Sequence, residues 1–299
     1  MTAVIIDGKK LSEEIKSKIK DKVELFKKDG IEPCLATILV GEDPASKIYL
    51  RIKHKNCEEV GIKSKNYQLS EDIEEDRLIE FIKELNKDEN IHGILLQLPL
   101  PQRIDEHKAI SAISPEKDVD GLHPVNMGKL LRGESCMIPC TPYGIQKLLI
   151  KNGYDTEGKH VVICGRSNLV GKPLAALLMQ KKEGANATVT ICHTGTKNMS
   201  SFTKQADILV AAIGRPKAIT ADMIKKGAIV IDVGMNEIPD ATTKSGYRLV
   251  GDTDFETIKE KAEAITPVPG GVGPMTVAML LYNTLIATSK QTKHELSYI

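Results

Sequence analysis

The sequence predicts an α/β protein of two domains, the second built on a doubly wound parallel sheet. Three observations carry that reading. Short apolar runs alternate with amphipathic helical stretches along the chain, the order that builds parallel sheets covered by helices. One of these runs, 161–164, leads through a glycine-rich turn into a helix, the layout that aims helix-terminal amides at an anion. The third is size: 299 residues can bury one large core or two ordinary ones, and two domains is the better prior.

Composition narrows the class of function. Charged residues make up 27% and apolar residues 41%, as in a soluble globular protein. Lys plus Arg number 41 against 40 for Asp plus Glu, so no global field draws the chain to nucleic acid or an anionic membrane, and a small partner is expected. The first residues carry no basic region ahead of an apolar core, so no signal peptide is expected. The most apolar long segment, 275–287, is too short for a membrane span and contains Thr and Asn. Six cysteines (Cys34, Cys57, Cys136, Cys140, Cys164, Cys192) form no C-x-x-C pair, which points to free thiols in a reducing cytoplasm and away from a structural zinc. The nearness of Cys136 and Cys140 in the chain is consistent with chance.

Along the chain, residues 11–28 place Leu11, Ile15, Ile19, Val23 and Phe26 at a helical period, stopped by Asp29-Gly30. The run 34–40, between Pro33 and Gly41, reads as a buried parallel strand. Asp43 is then a candidate N-cap and Pro44 a first helical residue. The helix they open carries Tyr49 and Lys53 one turn apart on one face, where a phenol and an ammonium can address one ligand. With Arg51 and Lys55 beside them, a solvated helix face fits the same residues. Position favours the ligand: this helix starts at a strand's carboxyl edge, where ligands collect on parallel sheets, and that turns its Tyr49/Lys53 face inward.

The pattern repeats with a strand at 65–69 and a helix at 74–85 carrying Leu78, Ile79, Ile82 and Leu85. Next comes an apolar strand from Gly93 with a single amide, Gln97, just before Pro99 and Pro101. A lone Gln fits a satisfied core amide, but its place at the strand's end puts it near the edge expected to hold Lys53. After a short helix at 106–113, the loop 115–126 brings Asp118 and Asp120. One such pair lacks the ligand count of a dedicated metal site. For Asp118, capping and function stand side by side.

A helix over 141–149 marks the domain boundary, since a new strand-turn-helix series follows. The strand 161–164 runs through Gly165-Arg166-Ser167-Asn168-Leu169-Val170-Gly171-Lys172-Pro173 into a helix over 174–180. Val170 stands where a nucleoside-triphosphate loop needs glycine, and Pro173 where it needs Ser or Thr, so this is no ATP loop. Against the G-x-G-x-x-G dinucleotide pattern the middle glycine is replaced by Ser167. Three further strands at 187–192, 208–212 and 228–233 supply the doubly wound sheet. The strand that ends at Cys192 is followed by His193 and Thr194, with no acid for a ribose hydroxyl. Thr194 with Arg166 suits a 2'-phosphate, which favours NADP. A helix-edge surface charge is the plain reading of Arg166.

Five motifs in order, Tyr49-x-x-x-Lys53, the Gly93–Pro101 strand with Gln97, Lys117-Asp118-Val119-Asp120-Gly121, Gly165-Arg166-Ser167-x-x-Val170-Gly171-x-Pro173, and Thr266-Pro267-Val268-Pro269-Gly270-Gly271-Val272-Gly273-Pro274-Met275-Thr276, make the chain resemble the bifunctional methylenetetrahydrofolate dehydrogenase/methenyltetrahydrofolate cyclohydrolase family over about residues 7–287. The resemblance implies an N-terminal α/β catalytic domain binding folate (1–143), a C-terminal Rossmann-type NADP domain (144–273) and a last helix (274–299) returning to the first domain. It implies oxidation of 5,10-methylenetetrahydrofolate by NADP and hydrolysis of the methenyl product to 10-formyltetrahydrofolate, in one-carbon metabolism and purine biosynthesis, by a cytoplasmic homodimer acting on folates that can be polyglutamylated. Lys53 is then the residue of the hydrolytic step, Tyr49 stacks on the folate, Gln97 hydrogen-bonds Lys53, and Asp120 binds the pterin. Pro269, Gly270 and Gly271 belong to the substrate side. Gly165, Arg166, Ser167, Val170, Gly171 and Thr194 belong to the cofactor.

Physical chemistry agrees with those roles. An exposed lysine is almost wholly protonated at neutral pH, and desolvation or an adjacent cationic substrate lowers its pKa towards that of a usable base. Gln97 can hold the neutral amine without adding the negative charge that would raise it again. A carboxylate such as Asp120 accepts two parallel hydrogen bonds from ring N–H and amino donors. Hydride transfer asks mainly for positioning. In the last motif the prolines stiffen the chain and Gly270, Gly271 and Gly273 allow close backbone approach, although a plain interdomain linker uses the same residues. Tyr-x-x-x-Lys also marks short-chain dehydrogenases, but there it follows the glycine loop, and here it precedes it. A shikimate-dehydrogenase-like enzyme is the runner-up, and a catalytically silent nucleotide-binding regulator is the reading from another class. His123 fits a hydrogen-bonded loop residue and His193 a place along the cofactor pocket. The other histidines share no spacing, so no metal is assigned.

Overall fold

A computed structural model of the chain describes residues 2–243 and 246–295, the side chain of Ala45 excepted. It divides into two compact units: one takes the residues up to Ser12 together with Thr141–Thr276, the other Glu13–Cys140 and the chain from Val277. The expected boundaries at 143/144 and 273/274 therefore differ most at the N-terminus. The reason is strand pairing: β1 (Val4–Ile5) lies parallel to β11 (Ala264–Ile265), so the first residues extend the second sheet. Residues 296–299, included in the expected last segment, lie outside the described residues.

The unit around Glu13–Cys140 is built on a three-stranded parallel sheet in the order β3-β2-β4. The central β2 (Cys34–Val40) is buried at every position, as its continuous apolar run requires of a strand covered on both faces. The edge strand β3 (Lys63–Leu69) is polar and mostly half-exposed. Helix α1 (Gly8–Lys28) buries all five residues of its apolar stripe, Leu11 through Phe26. Helix α2 (Pro44–Val60) begins as its sequence dictates: Asp43 accepts a 2.7 Å hydrogen bond from the Ser46 N–H, Pro44 sits in the first turn, and Gly61 closes the end at φ 81°. Helix α3 (Glu75–Lys87) buries Leu78, Ile82 and Leu85 against the sheet's core, β4 (Gly93–Leu96) ends one residue before Gln97, and α4 (Glu106–Ala112) is capped by Asp105.

Helix α5 (Pro124–Arg132) was not expected from the loop-like 115–126 sequence. Its N-cap is His123, whose Nδ1 accepts from the Val125 N–H at 3.1 Å, so a residue read as loop starts the helix. Helix α6 (Cys140–Lys151) leads into the other unit. There the six-stranded parallel sheet has the order β1-β11-β8-β7-β5-β6, formed by β5 (His160–Cys164), β6 (Thr188–Cys192), β7 (Ile208–Ala211), β8 (Ile229–Asp232) and the two strands named above. Chain order reverses direction at β5, whose neighbours are β6 and β7, so the turn after β5 opens at the switch point. Helices α7 (Gly171–Leu178), α8 (Met199–Thr203) and α9 (Phe255–Ile258), a 3-10 turn at Ala221–Met223, and an antiparallel hairpin of β9 (Asn236–Pro239) and β10 (Tyr247–Val250) complete it.

The last helix, α10 (Val272–Thr292), runs 21 residues and is long and apolar enough to cross a membrane, which corrects the expectation of a shorter segment. Thr284, Thr288 and Thr292 donate to the carbonyls four residues back, so these hydroxyls are satisfied within the helix. Ala278, Met279, Leu280, Leu281, Tyr282, Leu285 and Ala287 are all buried within the protein.

Candidate active site

Lys53 lies on the inner face of α2 with Ser46, Cys57 and Val60, a set at helical spacing, of which the other three are buried. Its ammonium donates to Gln97 Oε1 at 2.9 Å. Gln97 is fixed in turn: its N–H donates to the Ile38 carbonyl of β2 at 2.9 Å, and its side-chain amide to the Leu98 carbonyl at 2.7 Å. That second bond orients the amide so that its oxygen faces Lys53. Desolvation lowers the Lys53 pKa, opposed by the nearby Asp120 carboxylate and, to a smaller extent, by Cys140 and Cys57.

Tyr49 corrects the expectation of a wholly inward face. It is 39% exposed, beside Ile48 and Ile52 at 48% and 44%, because it stands at the edge of the buried stripe rather than within it. The result is an open apolar stripe next to a dehydrated amine.

The Lys117–Gly121 motif divides its work. Lys117 is buried and donates to the Leu85 and Asp88 carbonyls at 3.3 and 2.8 Å, closing the end of α3. Asp118, also buried, accepts from the Leu122 and Asn126 nitrogens and from the His123 N–H at 2.8–3.1 Å, which gives it the capping role. Gly121 sits at φ 74°, where a Cβ would lie 2.6 Å from the Pro139 nitrogen. With its neighbours so occupied, half-buried Asp120 is the carboxylate of the loop that acts electrostatically on Lys53. Sequence reasoning missed Cys140. Its thiol donates to the Val119 carbonyl at 3.3 Å, and burial with the Asp120 carboxylate pushes its pKa well above the ordinary value. Nothing in its spacing could reveal this, since the contact spans 20 residues of intervening loop and helix.

In the other unit, the Gly165 N–H donates to the Cys192 carbonyl at 2.8 Å, joining the carboxyl ends of β5 and β6. Arg166, Ser167 and Thr194 are exposed there, and no described residue pairs with the Arg166 guanidinium. The Val170 N–H donates to Ser167 Oγ at 3.1 Å, so Ser167 holds the turn that opens α7. Gly165 and Gly171 are required by packing: a Cβ on either would stand 2.1 Å from a backbone oxygen, of Ala212 and Gly165 respectively. His193 accepts from the Gly195 N–H at 3.0 Å and shapes the turn that presents Thr194. Gly270 takes φ 110° and accepts from the Lys9 N–H at 2.9 Å, and a Cβ on Gly271 would meet the Pro267 carbonyl at 2.6 Å. The close approach expected of these glycines is thus made first to the chain's own backbone. Pro269 follows a cis peptide bond. Among the described residues no group of three or more His, Cys, Asp or Glu is placed to hold a metal ion.

The chain matches two family models, the tetrahydrofolate dehydrogenase/cyclohydrolase catalytic domain over residues 6–120 and the NAD(P)-binding domain of the same family over 139–292. It is 56% identical over 285 residues to the Bifunctional protein FolD of Chlorobium luteolum, covering 94% of this chain and 97% of that protein. Its fold is similar to the bifunctional FolD methylenetetrahydrofolate dehydrogenase/cyclohydrolase of Campylobacter jejuni, with TM-score 0.91, 48% identity and coverage of 96% and 99% of the two chains. The Trypanosoma brucei methylenetetrahydrofolate dehydrogenase-cyclohydrolase complexed with NADP cofactor and inhibitor gives TM-score 0.93 at 38% identity, over 98% and 99%. With both of its units matched and the relatives covered nearly end to end, the chain belongs to the tetrahydrofolate dehydrogenase/cyclohydrolase family.

Proposed function

We infer that this protein oxidises 5,10-methylenetetrahydrofolate to 5,10-methenyltetrahydrofolate with NADP and hydrolyses the product to 10-formyltetrahydrofolate, the two activities of its family. The observation that carries the hydrolytic half is the 2.9 Å bond from the Lys53 ammonium to Gln97 Oε1 in a dehydrated setting. Water adds to the methenyl carbon and gives up one proton, and the C–N5 bond then breaks as the remaining hydroxyl proton passes to N5, leaving the formyl group on N10. A neutral Lys53 takes the proton. Gln97 accepts a hydrogen bond from the amine in either protonation state, so it orients the base without recharging it. A half-buried carboxylate at Asp120 supports acceptance from pterin N–H groups, and the open stripe of Ile48, Tyr49 and Ile52 supports stacking of a flat ring.

NADP, when bound, accepts the hydride from the methylene carbon. The donor set after β5 and β6 suits it: an exposed guanidinium, two hydroxyls and no carboxylate at the strand end where a ribose 2'-hydroxyl would need one. Arg166→Ala is expected to reduce the preference for NADP over NAD, measured as the ratio of kcat/KM values, by roughly 10–100-fold, the range of one charge-assisted hydrogen bond. An unchanged ratio removes Arg166 from the 2'-phosphate site. The reaction itself is tested by following the absorbance of methenyltetrahydrofolate as it forms from the methylene compound with NADP and then decays. Failure of either phase overturns the corresponding half.

The setting we propose is a cytoplasmic homodimer acting in one-carbon metabolism and purine biosynthesis on folates that can carry polyglutamate tails. Six free cysteines support a reducing compartment. The dimer follows from the family resemblance, and light scattering of the purified protein tests it.

A further inference from the structure

Asn283 lies in α10, 164 residues from the loop it touches, and is completely buried. Its side-chain nitrogen donates to the Val119 carbonyl at 2.8 Å and to the Ile138 carbonyl at 2.9 Å, and approaches the Cys140 sulfur at 3.7 Å. Two facing carbonyls accept only from an NH2 group, so the amide's orientation is fixed by its partners. Its Oδ1 has no hydrogen-bond partner among the described residues. An apolar side chain would avoid that unsatisfied acceptor. What the amide supplies in return is a clamp between two segments that meet at Asp120. Val119 precedes Asp120, Gly121 after it packs on Ile138 and Pro139, and Cys140 donates to the same Val119 carbonyl. On its other side the loop is tied to β4, where the Ile94 N–H donates to the Lys117 carbonyl at 2.7 Å.

We propose that Asn283 is a positioning residue of the active site, holding the Val119–Gly121 turn so that the Asp120 carboxylate keeps its place relative to Lys53 and the pterin. The proposal rests on the function inferred above. The groups that face Lys53 electrostatically are Asp120, Cys140 and Cys57, and Asp118 and Asp120 both act on Cys140. Of these, Asp120 is the one that favours protonated Lys53 most strongly. If it drifts away, the lysine loses its strongest support, desolvation is opposed only by the smaller effects of Cys140 and Cys57, and the neutral amine persists to lower pH.

The test is Asn283→Leu, which keeps the number and branching of the side-chain heavy atoms and removes both donors, with Asn283→Ser as a second variant that restores one. With methenyltetrahydrofolate as substrate, Asn283→Leu is expected to raise KM roughly tenfold, the scale of weakening one charge-assisted contact, and to move the acid limb of the kcat/KM profile to lower pH. Asn283→Ser should recover part of both changes. A single cooperative thermal melt followed by circular dichroism confirms that each variant is folded. A folded Asn283→Leu with wild-type KM and pH limb, even if its melting temperature falls, overturns the positioning role and leaves a structural one. If Asn283→Leu does not fold, the same two readouts on Asn283→Ser decide. A wild type that itself leaves methenyltetrahydrofolate untouched overturns the function reading, which separates that failure from this one.

Discussion

Lys53→Met is expected to slow hydrolysis of methenyltetrahydrofolate by roughly 10²–10⁴-fold, the contribution typical of a positioned general base. Methionine keeps an unbranched stem of similar length, so the inner face of α2 stays filled while the amine is lost. Gln97 retains its bonds to Ile38 and Leu98, so the neighbouring strand end is held without Lys53. The loss should therefore fall on the rate and not on folding. NADP binding should persist, because the Gly165–Gly171 turn belongs to the other compact unit. The wild-type profile carries the sign of the argument. Desolvation lowers the Lys53 pKa, so activity should rise with pH through a limb lying below the ordinary lysine range and then level off as the amine becomes neutral. A Lys53→Met enzyme with undiminished decay of the methenyl absorbance, or a wild-type limb at the pKa of free lysine, would remove Lys53 as the base.

The largest effect on stability is expected at Asp252, which no sequence motif singles out. This fully buried carboxylate accepts from the Ile213, Gly214 and Arg215 N–H groups at 2.5–3.0 Å and from the Asn236 side chain at 2.9 Å. Its own N–H donates to Asp232 Oδ1 at 2.9 Å, and Asp232 also accepts from the Gly234 N–H and from the backbone and hydroxyl of Thr253. The Asp232 N–H reaches Thr266 Oγ1 at 2.7 Å. The two aspartates thus knit the carboxyl ends of β7, β8 and β11, beneath the edge where a dinucleotide binds. Asp252→Ala would leave three backbone N–H groups buried without an acceptor, at about 1–3 kcal/mol each, less whatever water can enter. We expect a loss of about 3–5 kcal/mol in urea unfolding of this unit, with NADP affinity falling alongside. Asp252→Asn keeps one acceptor oxygen and should fall between the two. A midpoint within the error of wild type for Asp252→Ala would mean that the loop at Ile213–Arg215 does not depend on this carboxylate.

These residues also mark the limit of what could be read from the chain alone. Local rules reach as far as a helical turn or a strand. The periodicity of Leu11 to Phe26, the buried run Cys34–Val40, the Asp43 cap with Pro44, and the glycine turn after β5 were all legible, because each depends on neighbours a few residues away. So were Lys53 and Gln97 as candidates, through their positions at strand ends and the resemblance their motifs carry. Legibility failed where the partner is distant. The two-residue strands β1 and β11 are too short to show a pattern and exist through pairing across the length of the chain. Helix α5 was missed for a local reason, a histidine cap where the usual caps are Ser, Thr, Asp or Asn.

The sequence by itself determined the two-domain α/β class, the order of the main elements and the chemistry available at the two sites, since residue type and spacing fix what can be donated, accepted or charged. Only the tertiary structure decided which of these groups do that work. It showed Asp118 and Lys117 spent on holding their loop, Gly165, Gly171 and Gly271 required by backbone contact, and Tyr49 left at the surface. It also brought Cys140 to Asp120 and Asn283 to the Val119 carbonyl beside it. Burial and hydrogen-bond satisfaction are properties of packed neighbours, and no local pattern encodes a neighbour more than a hundred residues away.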